Sequence, residues 1–288
     1  MKIIPLAFDS MGTRGMATFL DLSKKILIDP SVALCPSRYN LPPHPQELAR
    51  KEDQWRAIMD YAKKTDIIII THYHYDHHNP DFPELFEDKI VIIKNPKENL
   101  NEGQKERASV FLHRINRLAK EILVGDGASF QFDNIEIICS KAVCHGVSNK
   151  LGMVIEVAIK EGAEKFLFTS DVQGMPLEEQ ILFILEQNPD IIFMDGPMTY
   201  LLNYRYRSED LAHSLLNILR VINETKISKF ILVHHLLRDL NYKNHLDEIF
   251  ATNLGNTEIL TAAEFAGKAN ELFEARRQEL YKGTKITT

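Results

Sequence analysis

Four consecutive isoleucines, Ile67–Ile70, lie between Asp66 and Thr71. A run of four is the length of a strand, far short of the ~20 apolar residues that a membrane-spanning helix needs. Successive strand side chains point to opposite faces, so a run with no polar alternate residue has to be covered on both sides. That puts the strand over 66–71 inside a sheet, with a layer above it and a layer below. The residues that follow are of the opposite character: Thr71-His72-Tyr73-His74-Tyr75-Asp76-His77-His78.

The rest of the chain supplies layers to do the covering. Residues 3–8, 17–22 and 25–28 read as an antiparallel meander, with turn chemistry at 11–15 and 23–24. The proline-studded stretch 34–45 predicts an irregular loop long enough to wall or cover a site. A helix follows with Leu48, Trp55, Ile58, Met59 and Ala62 on one face, and 101–122 also shows helical spacing. Strands are expected at 89–94, 130–132, 135–140, 152–159, 165–170, 191–195 and 230–233. Further helices are expected at 177–186, from Ser208 as a capping serine to about Ile222, and at 262–281. No repeat, low-complexity tract or linker interrupts the pattern, so one domain over 1–288 is expected. Two β-rich blocks flanked by helices predict two sheets face to face with helices outside, a four-layer α/β arrangement.

Composition removes several function classes. With 34 Lys+Arg against 40 Asp+Glu, the net charge of −6 argues against non-specific coating of nucleic acid, which clustered basic residues drive. Cys35, Cys139 and Cys144 show no CxxC spacing and read as buried thiols in a reducing, cytoplasmic setting. The N-terminal apolar run ends at Asp9, too early for a secretory signal, and nothing else suggests a membrane.

The chemistry is concentrated in the histidines. Of 11 in the chain, four fall between His72 and His78. In an extended segment His72 and His74 project the same way, whereas Asp76 and His77 come after the chain turns and can face the same space from another side. Imidazole and carboxylate are the ligand types for zinc and neighbouring divalent metals. His78, directly behind His77, is expected to pack or hydrogen-bond instead.

This stretch resembles the signature of the metallo-β-lactamase superfamily of hydrolases, whose fold is an αβ/βα sandwich with a two-metal site at one edge. The resemblance extends along nearly the whole chain. His145 in Cys144-His145-Gly146 is similar to the third motif, Asp171 after Thr169-Ser170 to the fourth, and one of His234 and His235 to the fifth. In a continuing strand those two would point to opposite sides, so only one should face the metals; His234, the first residue past the apolar run, is the first choice. The resemblance implies His72, His74 and His145 on one metal, and Asp76, His77 and His234 or His235 on the other, with Asp171 bridging. It implies two divalent ions, zinc foremost with manganese or iron as alternatives, activating a shared water, with Asp76 also accepting its proton. Asp171 stands where zinc β-lactamases have cysteine, which disfavours antibiotic hydrolysis, and His74 disfavours the di-iron oxygen-reducing branch. The interval from Asp171 to His234 is too short for the extra domain of the nucleases that process mRNA ends. The phrases DSMGTRGMAT, LPPHPQE and HHLLRD most resemble a largely archaeal set of stand-alone members.

The expected activity is therefore hydrolysis of a small ester, lactone, thioester or phosphodiester. The alternatives are a nuclease, supported only by the pairs Arg205/Arg207 and Lys226/Lys229, and a non-catalytic metal-binding regulatory or scaffold protein. No residue pattern signals an oligomeric state. Asp195 reads as either an orienting partner for a ligand histidine or a turn cap. Ser10, Arg14, Tyr200 and Arg238 either border the cleft or have ordinary solvated or ion-paired roles, and Cys144 is read as packing. Two carboxylates neutralised by metal would make the cleft less negative than the net charge suggests, so an anionic substrate is compatible with it.

Overall fold

A computed structural model describes residues 1–253 and 257–283. The meander is there: β1 (Lys2–Phe8), β2 (Met16–Asp21) and β3 (Ile26–Ile28) pair antiparallel in sequence. Helix α1 (Pro45–Ala62) then crosses to β4 (Ile67–Ile70), parallel to β3. Strand β5 (Ile90–Ile93), helix α2 (Glu102–Ile115) and β6 (Glu121–Val124) complete a six-stranded sheet in the order β1 to β6.

The second half begins with β7 (Ser129–Phe132) and β8 (Ile135–Cys139), then a small hairpin of β9 (Val143–Cys144) and β10 (Met153–Val154). Next come β11 (Val157–Glu161), β12 (Glu164–Phe168), α3 (Glu178–Gln187), β13 (Ile191–Asp195) and α4 (Ser208–Glu224). Strand β14 (Lys229–Val233), α5 (Asp247–Thr252), β15 (Glu258–Thr261), α6 (Ala262–Phe265) and α7 (Arg277–Tyr281) finish it. The seven-stranded sheet runs β15-β14-β13-β12-β11-β8-β7.

Strand β4 shows why the layers stack. Ile67 and Ile69 join Phe166, Phe168, Phe193 and Val233 of the other sheet in one core cluster. Ile68 and Ile70 lie on the opposite face, with Ile58 and Ala62 of α1 and Ala108, Phe111 and Ile115 of α2. The second sheet repeats this, its Leu167, Ile192 and Leu232 packing on Ile181 and Ile184 of α3 and Ile218 and Val221 of α4. The four-layer αβ/βα sandwich is thus the observed architecture, and α/β ligand sites form at its strand C-termini. No helix among the described residues is long and apolar enough to cross a membrane.

Several local expectations give way to tertiary constraints. The helix expected to reach residue 122 stops at Ile115, because Glu121–Val124 fills the free edge of β5, with Ile122 opposite Val91. The closing helix is two short ones. Between them Gly267 takes a φ of +68°, and Glu271 N–H donates to Ser10 O, drawing the segment across the sheet end. The strand expected at 152–159 divides at Ile155, whose N–H donates to Thr71 O. Ser208 is the first helical residue and caps nothing; its hydroxyl donates to Asn203 Oδ1. Leu48 is 48% exposed, since α1 turns its apolar face inward only from Gln54 onward.

Charged clamps tie the C-terminal segment down. Arg277 and Glu47, both fully buried, pair at 2.8 Å, and Arg14 Nε lies 2.6 Å from Glu274. Burial opposes ionisation of Glu274, but Arg14 and then Arg238 outweigh it and hold the carboxyl down at about 2.

Ile68→Ala and Ile69→Ala open cavities on opposite faces of β4, and each should lower the unfolding free energy by about 2–5 kcal/mol in a denaturant titration. Leu48→Ala, on exposed surface, should change it by less than about 0.5 kcal/mol. Because the folded pKa of Glu274 lies below the 4.5 of a free glutamate, its stabilisation is complete above pH 4.5 and is lost as pH falls towards 2. Glu274→Gln should flatten stability against pH in that window, read as thermal midpoints from pH 6 to pH 2.

Candidate metal centre

The site is assembled from strand ends. Beyond β4, Thr71 is fixed by Asp29, whose carboxylate accepts from the Thr71 N–H at 2.8 Å and its hydroxyl at 2.6 Å. The hydroxyls of Thr71 and Ser170 each lie 3.2 Å from His72 Nδ1, which leaves Nε2 to face inward. His74 O then accepts from the N–H groups of His77 and His78, so the chain turns helically and returns Asp76 and His77 towards His72. His77 Nδ1 is anchored on Asp29 Oδ2 at 2.8 Å.

The second sheet supplies the opposite wall. His145 follows β9, with Gln173 Nε2 3.4 Å from its Nδ1. Gly146 has a φ of +76°, and a Cβ there would meet Gln173 Oε1 at 1.9 Å, so only glycine lets Gln173 reach this position. Asp171 follows Ser170, itself at a φ of +57°. Its two oxygens lie 3.0 Å from His77 Nε2 and 3.1 Å from His145 Nε2.

His234 and His235 depart from the alternation expected of a continuing strand. Strand β14 ends at Val233, His234 takes a φ of +57°, and a 3₁₀ turn spans His234–Arg238. Both rings therefore border the site, their centroids 4.5 Å apart. His234 Nδ1 sits 2.8 Å from Asp9 Oδ2, and its Nε2 is 3.5 Å from both Asp76 Oδ2 and Asp171 Oδ2. Arg238 Nη2 also reaches that Nε2, at 3.0 Å, while Arg238 Nε holds Asp9. His235 Nδ1 lies 3.0 Å from each oxygen of Asp195, so Asp195 does orient a histidine.

Ligand atoms thus gather in overlapping groups, each within 4.8 Å: His72, His74, His145 and Asp171; Asp76, His77 and His234; Asp171, His234 and His235. Asp29 forms another with His72 and His77, but its carboxylate is already engaged by Thr71 and His77. His78 stands apart, its Nδ1 on His74 O and its ring against Tyr73 and Phe111, which fits the packing role expected of it. Arg14 and Arg238 are ion-paired, Ser10 accepts from Ala263 N–H, and Tyr200 lies against Arg38. Asp9, Asp29 and Gln173 lie outside the ligand motifs that the sequence displays. The signal for the two acids was an acid directly after an apolar strand, in Phe8-Asp9 and Ile28-Asp29.

Burial and mutual charge set the protonation states. Burial, then neighbouring imidazoles, pushes His72 well below the usual histidine range and His74 down to about 3. Burial also opposes charge on His77 and His234, but carboxylates outweigh it: Asp171 and Asp29 hold His77 well up, and Asp171 and Asp9 raise His234 to about 9. Asp171 and Asp76 remain below the usual carboxylate range despite burial, because His77 and His234 face both. Burial and the Asp171 charge push Asp195 up to about 7.

One observation tests whether a cation suits this donor set. His77 Nε2, His145 Nε2 and Asp171 Oδ1 are buried, and none makes a hydrogen bond, although they approach within about 3 Å of a partner. An unsatisfied buried polar atom costs about 1–3 kcal/mol, and a cation shared by these converging lone pairs would remove that cost. Nitrogen and carboxylate donors in this number fit divalent zinc and its neighbours.

Comparison with known proteins agrees with the geometry. The family model for the beta-lactamase superfamily domain matches residues 24–235. The UPF0282 protein of Korarchaeum cryptofilum (strain OPF8) is 46% identical over 287 residues, covering 98% of this chain and 95% of that protein. Among solved structures, the metallo-β-lactamase fold protein YhfI from Bacillus subtilis aligns with a TM-score of 0.53 at 14% identity, over 93% of this chain and 96% of that one. Tm1679, a metal-dependent hydrolase of the β-lactamase superfamily, aligns with a TM-score of 0.51 at 12% identity, over 90% and 94%. With the family model spanning most of its length and its two sheets stacked in the same manner, this chain belongs to the β-lactamase superfamily and has the metallo-β-lactamase fold.

Proposed function

We propose that this chain is a metal-dependent hydrolase with a dinuclear centre, acting on a small ester, lactone, thioester or phosphodiester. The observation that carries the reading is the convergence of buried, unbonded histidine nitrogens on the Asp171 carboxylate. His72, His74 and His145 would hold one ion, and Asp76, His77 and His234 the other, with Asp171 between them. His234 is preferred to His235 because its Nε2 faces both Asp76 and Asp171, whereas His235 groups with Asp171 and His234 alone. To hold a cation, His234 Nε2 would have to give up its contact with Arg238 Nη2, while Arg238 Nε would keep its bond to Asp9. Zinc is the first choice of metal, with manganese or iron as alternatives.

When bound, two such ions lower the pKa of a shared water towards neutrality and polarise the substrate oxygen that gains charge. The chain does the rest. Asp76, kept ionised by His77 and His234, orients the attacking water and takes its proton. Asp29, Asp9 and Gln173 occupy the Nδ1 positions of His77, His234 and His145, fixing the rings with Nε2 inward.

Elemental analysis of the purified protein should find about two divalent ions per chain, and a panel of esters, lactones and bis-p-nitrophenyl phosphate should contain a cleaved substrate. In Asp76→Ala both turnover and occupancy of the second ion should fall; normal turnover in that variant would sink the role given to Asp76. Asp29→Asn, nearly isosteric, should weaken metal retention about 10- to 100-fold in competition with a chelating indicator while circular dichroism stays unchanged.

A further inference from the structure

The loop over 34–45 carries an arginine that has no ion-pair partner of its own among the described residues. Backbone bonds of 3.0 Å run both ways between Arg38 and Leu41, with Tyr39 and Asn40 between them at φ of 56° and 59°. Two successive residues at positive φ make the mirror-image two-residue hairpin turn, and tyrosine is an unusual occupant because its Cβ crowds the backbone there. Tertiary contacts hold it in place. The Tyr39 hydroxyl donates to Ala275 O at 3.2 Å, and the buried Arg277 donates to Cys35 O and Leu41 O while paired with Glu47. The loop therefore presents Arg38 from a fixed turn.

Arg38 lies against the end of the turn that His234 begins. Its Nη2 donates to Arg238 O at 3.1 Å, and its Cζ lies 4.7 Å from the Tyr200 ring centroid and 4.8 Å from that of Tyr39. Arg238 ends the 3₁₀ turn that His234 begins, so at about 2 Å per residue the Arg238 backbone that Arg38 holds lies roughly 8 Å along that turn from the His234 backbone. Three guanidiniums meet here, and two have carboxylates: Arg14 has Glu274 and Arg238 has Asp9. Arg38 has no carboxylate within 4 Å among the described residues, Glu274 acting on it only at longer range and already paired with Arg14, and its Nε is buried without a hydrogen-bond partner. A weakly hydrated planar cation against aromatic faces, with in-plane N–H groups unused, is suited to bidentate capture of a carboxylate or phosphate.

We propose that Arg38 anchors an anionic group of the substrate, so that the molecule cut at the centre carries a carboxylate or phosphate a short chain's length from the bond that breaks. The position of that bond rests on the hydrolase reading; the anion site itself is tested by binding alone.

Inorganic phosphate and glutarate are titrated separately by calorimetry into the full chain, both zinc-loaded and EDTA-treated, with Arg38→Gln and Arg38→Lys beside the wild type. At least one anion should bind the wild type in both states, more weakly as salt rises, and the two arms separate phosphate from carboxylate recognition. Affinity should fall at least tenfold in Arg38→Gln. It should also fall in Arg38→Lys, which keeps the charge but loses the fork and carries the test if the glutamine variant fails to fold. Equal affinity in wild type and folded variants, or no binding of either anion to the wild type at millimolar concentration, overturns the assignment. An inactive protein that still loses anion binding with Arg38 would refute the hydrolase reading and leave the anion site standing.

Discussion

Asp171 carries a carboxylate charge where almost no water reaches it, and the surrounding structure answers that charge. A buried carboxylate without partners costs several kcal/mol, so its position at the end of β12 is tolerable only if positive groups or metal converge on it. His77 and His145 approach its two oxygens, and His234 stands behind them. The same logic runs outward. Each imidazole turned inward needs a partner for its other nitrogen, and Asp29, Asp9 and Asp195 serve His77, His234 and His235 in that way. All three acids stand at C-terminal strand ends, of β3, β1 and β13 respectively.

The sandwich makes this convergence possible. The apolar faces of the two sheets lock against one another through Ile67, Ile69, Phe168 and Phe193, which brings the ends of β4 and β12 to one edge. Single contacts then tie the halves together next to the ligands: Thr71 Oγ1 is 2.7 Å from Ser170 Oγ, and Thr71 O accepts from Ile155 N–H. The C-terminal segment closes the other side by pairing Glu274 with Arg14 and Arg277 with Glu47, which also sets the loop that bears Arg38.

Much of this was legible in the residues. The isoleucine run named a doubly buried strand, and the histidines behind it named the kind of chemistry, because both signals are local. The helical reading of 101–122 failed where Leu118 and Ile122 matched a helical period by coincidence; pairing along the β5 edge decided that stretch. The single closing helix failed because burying Glu274 and Arg277 against distant partners outweighed helical propensity between Gly267 and Arg276. Asp9 and Asp29 went unnoticed since an acid after a strand is common, and only the fold shows what it faces.

While the resemblance to the superfamily pointed to candidates at later strand ends, the residues by themselves determined the layered α/β class and the concentration of imidazole and carboxylate side chains directly behind Ile70. Those follow from hydrophobic period and from side-chain chemistry, which need no knowledge of distant neighbours. Only the tertiary structure decided how His234 and His235 share the site. That choice hangs on one left-handed backbone residue, on Asp9, 225 positions from His234, and on Asp195, 40 positions from His235. Contacts across such separations have no period and leave no local trace, so it took the packed sheets to place them.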